Sequence, residues 1–203
     1  MRYLIVFAHP NPESFNHAIL DTVINQLNSL GATVTVRDLY ALNFNPCLGM
    51  ADLAAYHAGK TPEDVKIEQQ FINDADKIIF ISPIWWGLLP AIMKGYFDRV
   101  FSVNYAYTIL ETGMTGLLGA KKFAMINTLG ATHEEQERNH LTEAFNFIVD
   151  KGIFESCNSP LCFHRFFYGI DSVGEERRRE MLEDVKKDIE KFVLDPNYCP
   201  FFG

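Results

Sequence analysis

Three short stretches hold most of the residues able to grip a small molecule. The first runs His9-Pro10-Asn11-Pro12-Glu13-Ser14-Phe15-Asn16. Ser14 and Asn16 stand where a helix begins, and the free N–H groups and dipole of a helix start favour an anion there. His9 adds a further donor. The local pattern fits equally well with Ser14 acting only as an N-cap and His9 as a satisfied loop residue. The stretch contains no glycine. It is therefore neither a GxGxxG turn nor a Walker loop, which argues against ordinary Rossmann dinucleotide binding and against nucleoside triphosphate hydrolysis.

The second stretch, Pro83-Ile84-Trp85-Trp86, carries the only two tryptophans of the chain. Adjacent side chains in an extended loop point opposite ways, so one indole packs while the other is free to wall a flat pocket. Trp86 is expected to face the ligand and Trp85 to contribute mainly backbone. The third stretch, Asn127-Thr128-Leu129-Gly130, adds amide and hydroxyl groups. An anion site, a flat apolar wall and polar edge donors together suit a flavin, with its phosphate, isoalloxazine ring and pyrimidine edge.

These stretches are held by a regular alternation of elements. Residues 3–8 read as a buried strand, and a helix follows with Leu20, Val23, Ile24, Leu27 and Leu30 on one face, ending at Gly31. Residues 33–36 alternate as a second strand. A short helix is expected over 50–57, and Thr61-Pro62-Glu63-Asp64 opens another, with proline at its first position, running to about Asp76. Residues 78–81 form a third strand that turns at Ser82-Pro83. Pro90 starts a helix with Ile92, Met93, Tyr96, Phe97 and Val100 inward, and residues 112–119 read as a connection.

A fourth strand covers 123–126 and ends at Asn127-Thr128. Thr132 and Glu135 form a capping box for one helix that buries Leu141, Ala144, Phe145, Ile148 and Val149. A weaker fifth strand lies within 155–167, interrupted by Pro160. Ser172 and Glu175 are expected to cap a last helix with Leu182, Val185, Ile189 and Phe192 inward. This pattern implies one α/β domain over 1–203, a five-stranded parallel sheet with helices on both faces and strand order 2-1-3-4-5. In such sheets ligands bind beyond the carboxyl ends of the strands where the order reverses, between the first and third strands. Both loops, 9–16 and 83–89, fall there.

The totals exclude several classes. With 203 residues, 48% hydrophobic and 22% charged, the chain is an ordinary globular domain. A net charge of −8 disfavours nucleic acid, and the basic residues 177–179 and 186–187 are interleaved with acids. No apolar run approaches the roughly 18 residues of a membrane span, and residues 3–8 read as a strand rather than a signal peptide. Cys47, Cys157, Cys162 and Cys199 lie far apart, so reduced thiols in a cytoplasmic protein are expected, with a disulfide pair the lesser alternative, and the six histidines show no metal spacing.

The sequence also carries a resemblance. Ala8-His9-Pro10, three residues, then Ser14-Phe15-Asn16 closely resembles the AHP-xxx-SFN signature of the NAD(P)H:quinone oxidoreductases, the DT-diaphorase-like, flavodoxin-like flavoproteins. Pro83-Ile84-Trp85-Trp86, the stretch from Pro90 through Phe101, and Ala106-Tyr107-Thr108 look like the second block of that family. The likeness covers the chain to about Gly130. It implies flavin phosphates held by His9, Ser14, Phe15 and Asn16, an isoalloxazine running along Pro83, Ile84, Trp85 and Trp86, and a ring edge at Asn127, Thr128, Leu129 and Gly130. In that last loop the family has Thr-Thr-Gly-Gly, and Asn127 and Leu129 depart from it.

The resemblance further implies FAD or FMN as cofactor and NAD(P)H as co-substrate. A hydride would pass through flavin N5 to a quinone or similar flat acceptor in ping-pong order. Tyr107, and more weakly Tyr105, would line a substrate pocket across a homodimer interface. Some members place a tyrosine and a histidine beyond the third loop; here His133 and His140 are available with no tyrosine in register. Two other roles compete with this one. An electron-carrier flavodoxin is disfavoured by the glycine-free first loop, and an ancillary regulator of a membrane transporter is compatible with reductase activity.

Overall fold

In a computed structural model, which describes residues 1–195 and Tyr198, the described residues form seven strands and seven α-helices. β1 (Arg2–Phe7), α1 (Phe15–Ser29) and β2 (Thr33–Asp38) open the fold, followed by α2 (Met50–His57), α3 (Glu63–Asp74) and β3 (Lys77–Pro83). Next come α4 (Ala91–Val100), β4 (Tyr107–Leu110), β5 (Gly113–Gly116) and β6 (Lys122–Thr128). The chain continues through α5 (His133–Arg138), α6 (Leu141–Asn146), β7 (Leu161–Phe167) and α7 (Glu175–Leu194). The main sheet has five parallel strands in the order β2-β1-β3-β6-β7. Counting sheet strands alone, this is the expected 2-1-3-4-5 order.

Successive side chains of a strand point to opposite faces, and β1 divides its residues accordingly. Leu4 and Val6 join one core with Ile72 of α3 and Met93, Tyr96 and Phe97 of α4. Tyr3, Ile5 and Phe7 join the other with Ile19 and Val23 of α1 and Val185 and Ile189 of α7. β3 is buried at every position, as a central parallel strand covered on both faces must be. Arg99 of α4, itself buried, donates to both carboxylate oxygens of Asp52 (3.2 and 2.8 Å), to Asp64 (2.6 Å) and to Asn45 O (2.9 Å). It thereby fastens α2, α3 and the preceding loop to one face.

Several expectations are corrected. β3 does not turn at Ser82-Pro83, because these residues stay in register with Asn127 and Thr128 of β6. Pairing with β1 ends at Ile81, so the missing N–H of Pro83 costs no ladder bond on that side. α3 stops two residues short of Asp76, whose N–H donates to Arg2 O (2.8 Å) at the sheet entrance, and Pro62 is its N-cap rather than its first helical residue. The connection over 112–119 contains half of an antiparallel hairpin, β4 with β5.

The single helix expected after Thr132 is broken. His140 takes a left-handed conformation (φ 54°) between α5 and α6, and residues Phe147–Phe154 wind as a π-helix. A change of winding shifts the phase of the buried stripe, so Phe145 and Val149 are buried while Leu141 and Ile148 are exposed. The Thr132–Glu135 capping box is present. Ser172 does not cap α7: its hydroxyl donates to Gly169 O (3.0 Å), and Gly174 is the N-cap. Cys47 and Cys157 are free thiols, but Cys162 is disulfide-bonded, against the expectation of reduced cysteines; Cys199 lies outside the described residues. No helix among the described residues is long and apolar enough to cross a membrane.

Candidate active site

The carboxyl ends of β1, β3 and β6 open onto a cavity of about 510 Å3. His9 and Asn16 line it from the first loop, Pro83, Ile84, Trp85 and Trp86 from the second, and Thr128 and Gly130 from the third. The topology thus brings all three sequence stretches to one place at the reversal of strand order, between β1 and β3.

The tryptophans are shaped by a tight two-residue turn. Trp85 N–H donates to Leu88 O (2.9 Å) and Leu88 N–H to Trp85 O (3.1 Å). Trp86 (φ 52°) and Gly87 (φ 74°) occupy the centre, both left-handed, as a type I′ turn requires. Glycine adopts that conformation freely, whereas a tryptophan is strained in it. The turn holds the Trp86 indole wholly in solvent (103% exposed), while Trp85 is 42% exposed with its ring 5.8 Å from that of His9. Both line the cavity.

The first loop is organised by its own side chains. Ser14 Oγ caps α1 by accepting from His17 N–H (3.3 Å). His9 Nδ1 lies 3.1 Å from Asn11 N and 3.2 Å from Asn11 O, which hold the ring against the Asn11 backbone. Burial, and secondarily the neighbouring His17, holds His9 below the usual histidine range despite its contact with Asn11 O, favouring the neutral ring. Asn16 is 1% exposed; its Nδ2 donates to Thr128 Oγ1 (2.8 Å) but its Oδ1 is buried with no partner. A buried acceptor without a donor is costly, and this one belongs to a residue that lines the cavity.

Other residues singled out in the sequence fall elsewhere. Ser14 and Phe15 line a second cavity of about 300 Å3, shared with Arg178 and Arg179 of α7. There Arg178 donates to Ile170 O (2.8 Å) through one terminal nitrogen, while its buried Nε has no partner. Asn127 and Leu129 lie under the loop rather than in the cavity wall: both are buried, and Leu129 N–H donates to Phe167 O (2.8 Å). Tyr107 lines a separate cavity of about 410 Å3 with Phe101, Met114 and Ile148. Tyr105 bonds through its hydroxyl to Gln69 O (3.1 Å) and Asn73 Oδ1 (3.2 Å), and burial raises its phenol above the usual range. His133 rests edge-on against Tyr168 (4.9 Å) and His140 forms the break between α5 and α6; neither lines the main cavity.

Sequence reasoning missed Ile170 and Asp171, which complete the cavity from the loop before α7. A Cβ on Gly130 would stand 2.6 Å from Asp171 Oδ2, so the glycine lets the two loops meet. The signal was available in Tyr168-Gly169, a turn with Gly169 at φ 65° that brings the following residues back over the sheet. The site residues fit a flavin in a specific sense. Asn16 Oδ1 lacks a donor and Arg178 Nε lacks an acceptor, and a flavin carries both ribityl hydroxyls and phosphate oxygens.

Strand order, two-faced helical cover and a ligand cavity at the switch point define a flavodoxin-like α/β protein, and a family model described as flavodoxin-like fold matches residues 1–193. An uncharacterized NAD(P)H oxidoreductase of Haemophilus influenzae is 35% identical over 184 residues, covering 90% of this chain and 91% of that protein. Rat NAD(P)H dehydrogenase [quinone] 1 is 30% identical over 209 residues, covering 93% and 76%. The solved NAD(P)H:quinone oxidoreductase of Methanothermobacter marburgensis superposes with a TM-score of 0.84 at 27% identity, covering 95% and 96%. The chain belongs to the flavodoxin-like family of NAD(P)H:quinone oxidoreductases.

Proposed function

We propose that this protein is a flavin-dependent NAD(P)H oxidoreductase of the cytoplasm that reduces a quinone-like acceptor in ping-pong order. The observation that carries the reading is the buried, unpartnered Asn16 Oδ1 in a cavity walled by two tryptophans. When bound, the flavin supplies the centre that takes a hydride from NAD(P)H and passes it, with a proton from solvent, to the acceptor. The protein's own work is to place and to shield. Asn16 Oδ1 accepts from the ribityl chain, the N–H groups at the start of α1 hold phosphate, and Trp85, Trp86 and Ile84 wall the ring. Such chemistry rests on placement more than on a protein acid or base.

The second cavity, with Arg178 and Arg179 beside Ser14 and Phe15, supports FAD rather than FMN, because it adjoins the phosphate end and offers an unpartnered donor for a second phosphate. Exposed Ile109, Leu110 and Met114 of the hairpin and Phe147 and Ile148 of the π-helix support a homodimer. Tyr107, in the cavity that Met114 and Ile148 also line, would then face a partner's acceptor. The test is direct. Purified protein should be yellow, should release its flavin on heating for identification, and should bleach with NAD(P)H and recover colour with a quinone. A protein that stays colourless after incubation with both flavins overturns the reading. Sedimentation giving a monomer overturns the dimer.

A further inference from the structure

One histidine with a buried side chain takes no part in the chemistry proposed for the site. His164 of β7 has a side chain only 2% exposed, stacked on Phe166 (4.1 Å between centroids) and flanked by Phe145 (5.7 Å). Its Nε2 lies 2.7 Å from Asn127 Oδ1 and its Nδ1 lies 2.8 Å from Asp150 Oδ1. The orientation of the Asn127 amide is decided by its other end, where Nδ2 donates to Ser82 O (2.8 Å) and reaches Ser82 Oγ (3.2 Å). A backbone carbonyl can only accept. Asn127 Oδ1 therefore faces His164, and Nε2 must carry a proton. Asp150 presents a carboxylate oxygen to Nδ1 and fixes the other edge of the ring.

The chain Asp150–His164–Asn127–Ser82 ends directly beneath the candidate site. Ser82 and Asn127 are paired in register, as are Pro83 and Thr128, and Ile84 N–H donates to Thr128 O (2.8 Å). Pro83, Ile84 and Thr128 line the cavity, whereas His164 does not. The geometry points to His164 as a positioning residue: held at Nδ1 by Asp150 and donating from Nε2, it locks the Asn127 amide and so clamps the ends of β3 and β6 that form the cavity floor. The inference of an effect on flavin rests on the function proposed above; the clamp itself does not.

The test therefore has two arms. In flavin-free protein labelled with 15N at histidine, the difference between wild type and His164→Leu should show one ring whose Nε2 carries a proton shared with Asn127. In His164→Leu the Ile84 amide should exchange with solvent faster, with the circular dichroism unchanged. A His164 ring without a proton on Nε2, or Ile84 exchange unaltered in His164→Leu, overturns the proposal whether or not flavin binds. In the second arm, His164→Leu should weaken flavin binding about tenfold, the worth of one hydrogen bond to a charged group. His164→Gln, which keeps an N–H for Asn127 Oδ1, should recover most of that loss. Equal losses in the two variants would make His164 mere packing and overturn the positioning role. Wild-type protein that binds neither flavin would instead overturn the function, leaving the first arm to decide the clamp.

Discussion

The Trp86 turn sets stability against binding in a way that can be measured. A non-glycine residue in the left-handed region costs roughly 1–2 kcal/mol, with Asn among the residues least penalised. Trp86 stands there at φ 52°, and its indole is fully exposed (103%), so the folded chain recovers none of that strain through burial. Asn-Gly is the favoured pair for this turn type, which makes Trp86→Asn the informative change. It should stabilise flavin-free protein by about 1 kcal/mol, or about 2–4 °C in Tm for a chain of this size. Urea unfolding should show a higher midpoint with an unchanged slope. Trp86→Ala is the control, since it removes the same indole but keeps a side chain poorly suited to the left-handed region. Stability should therefore separate Asn from Ala while flavin binding should not. Both variants should bind flavin about fivefold more weakly, equivalent to about 1 kcal/mol of lost aromatic contact. If Trp86→Asn unfolds at the same or a lower urea concentration than wild type, the strain argument is wrong.

Four further outcomes are expected. Arg99→Met should destabilise the fold by about 3–5 kcal/mol in chemical denaturation, because it strands the buried Asp52 carboxylate. The hydrogen bonds from Arg99 hold Asp52 and Asp64 below the usual carboxylate range. Their contribution is thus full above about pH 4 and is lost as pH falls through the lower folded-state values; Asp52→Asn should flatten that acid-side decline in a pH series of unfolding curves. Gly130→Ala should change stability by less than about 1 kcal/mol, since the clashing atom is the mobile end of Asp171, yet weaken flavin binding measured by fluorescence quenching. Arg178→Met should lower affinity for FAD about tenfold, the loss of a charge-assisted bond, and leave FMN affinity unchanged; equal losses for both flavins would refute the placement of the second phosphate.

How far such a site can be read from sequence depends on what the backbone alone decides. The run of apolar residues in β3 and the N-cap at Ser14 are local facts, and they put His9, Asn16 and Trp85 at the switch point before any packing is considered. Periodicity failed where winding or handedness changes without a composition cue. His140 breaks a helix in a conformation that histidine seldom adopts, and the π-turn after it carries Ile148 to the surface. The third loop shows the deeper limit. Asn127 has the chemistry of a ligand donor, but its amide is already engaged by Ser82 and His164. Those partners lie 45 and 37 residues away in sequence, a distance over which spacing says nothing. Thr128, its neighbour, points to the opposite face of the sheet and reaches Asn16. One residue of strand register thus separates a group that lines the cavity from one that supports it. Residue type alone could not make that distinction, because both side chains are small, polar and able to hydrogen-bond.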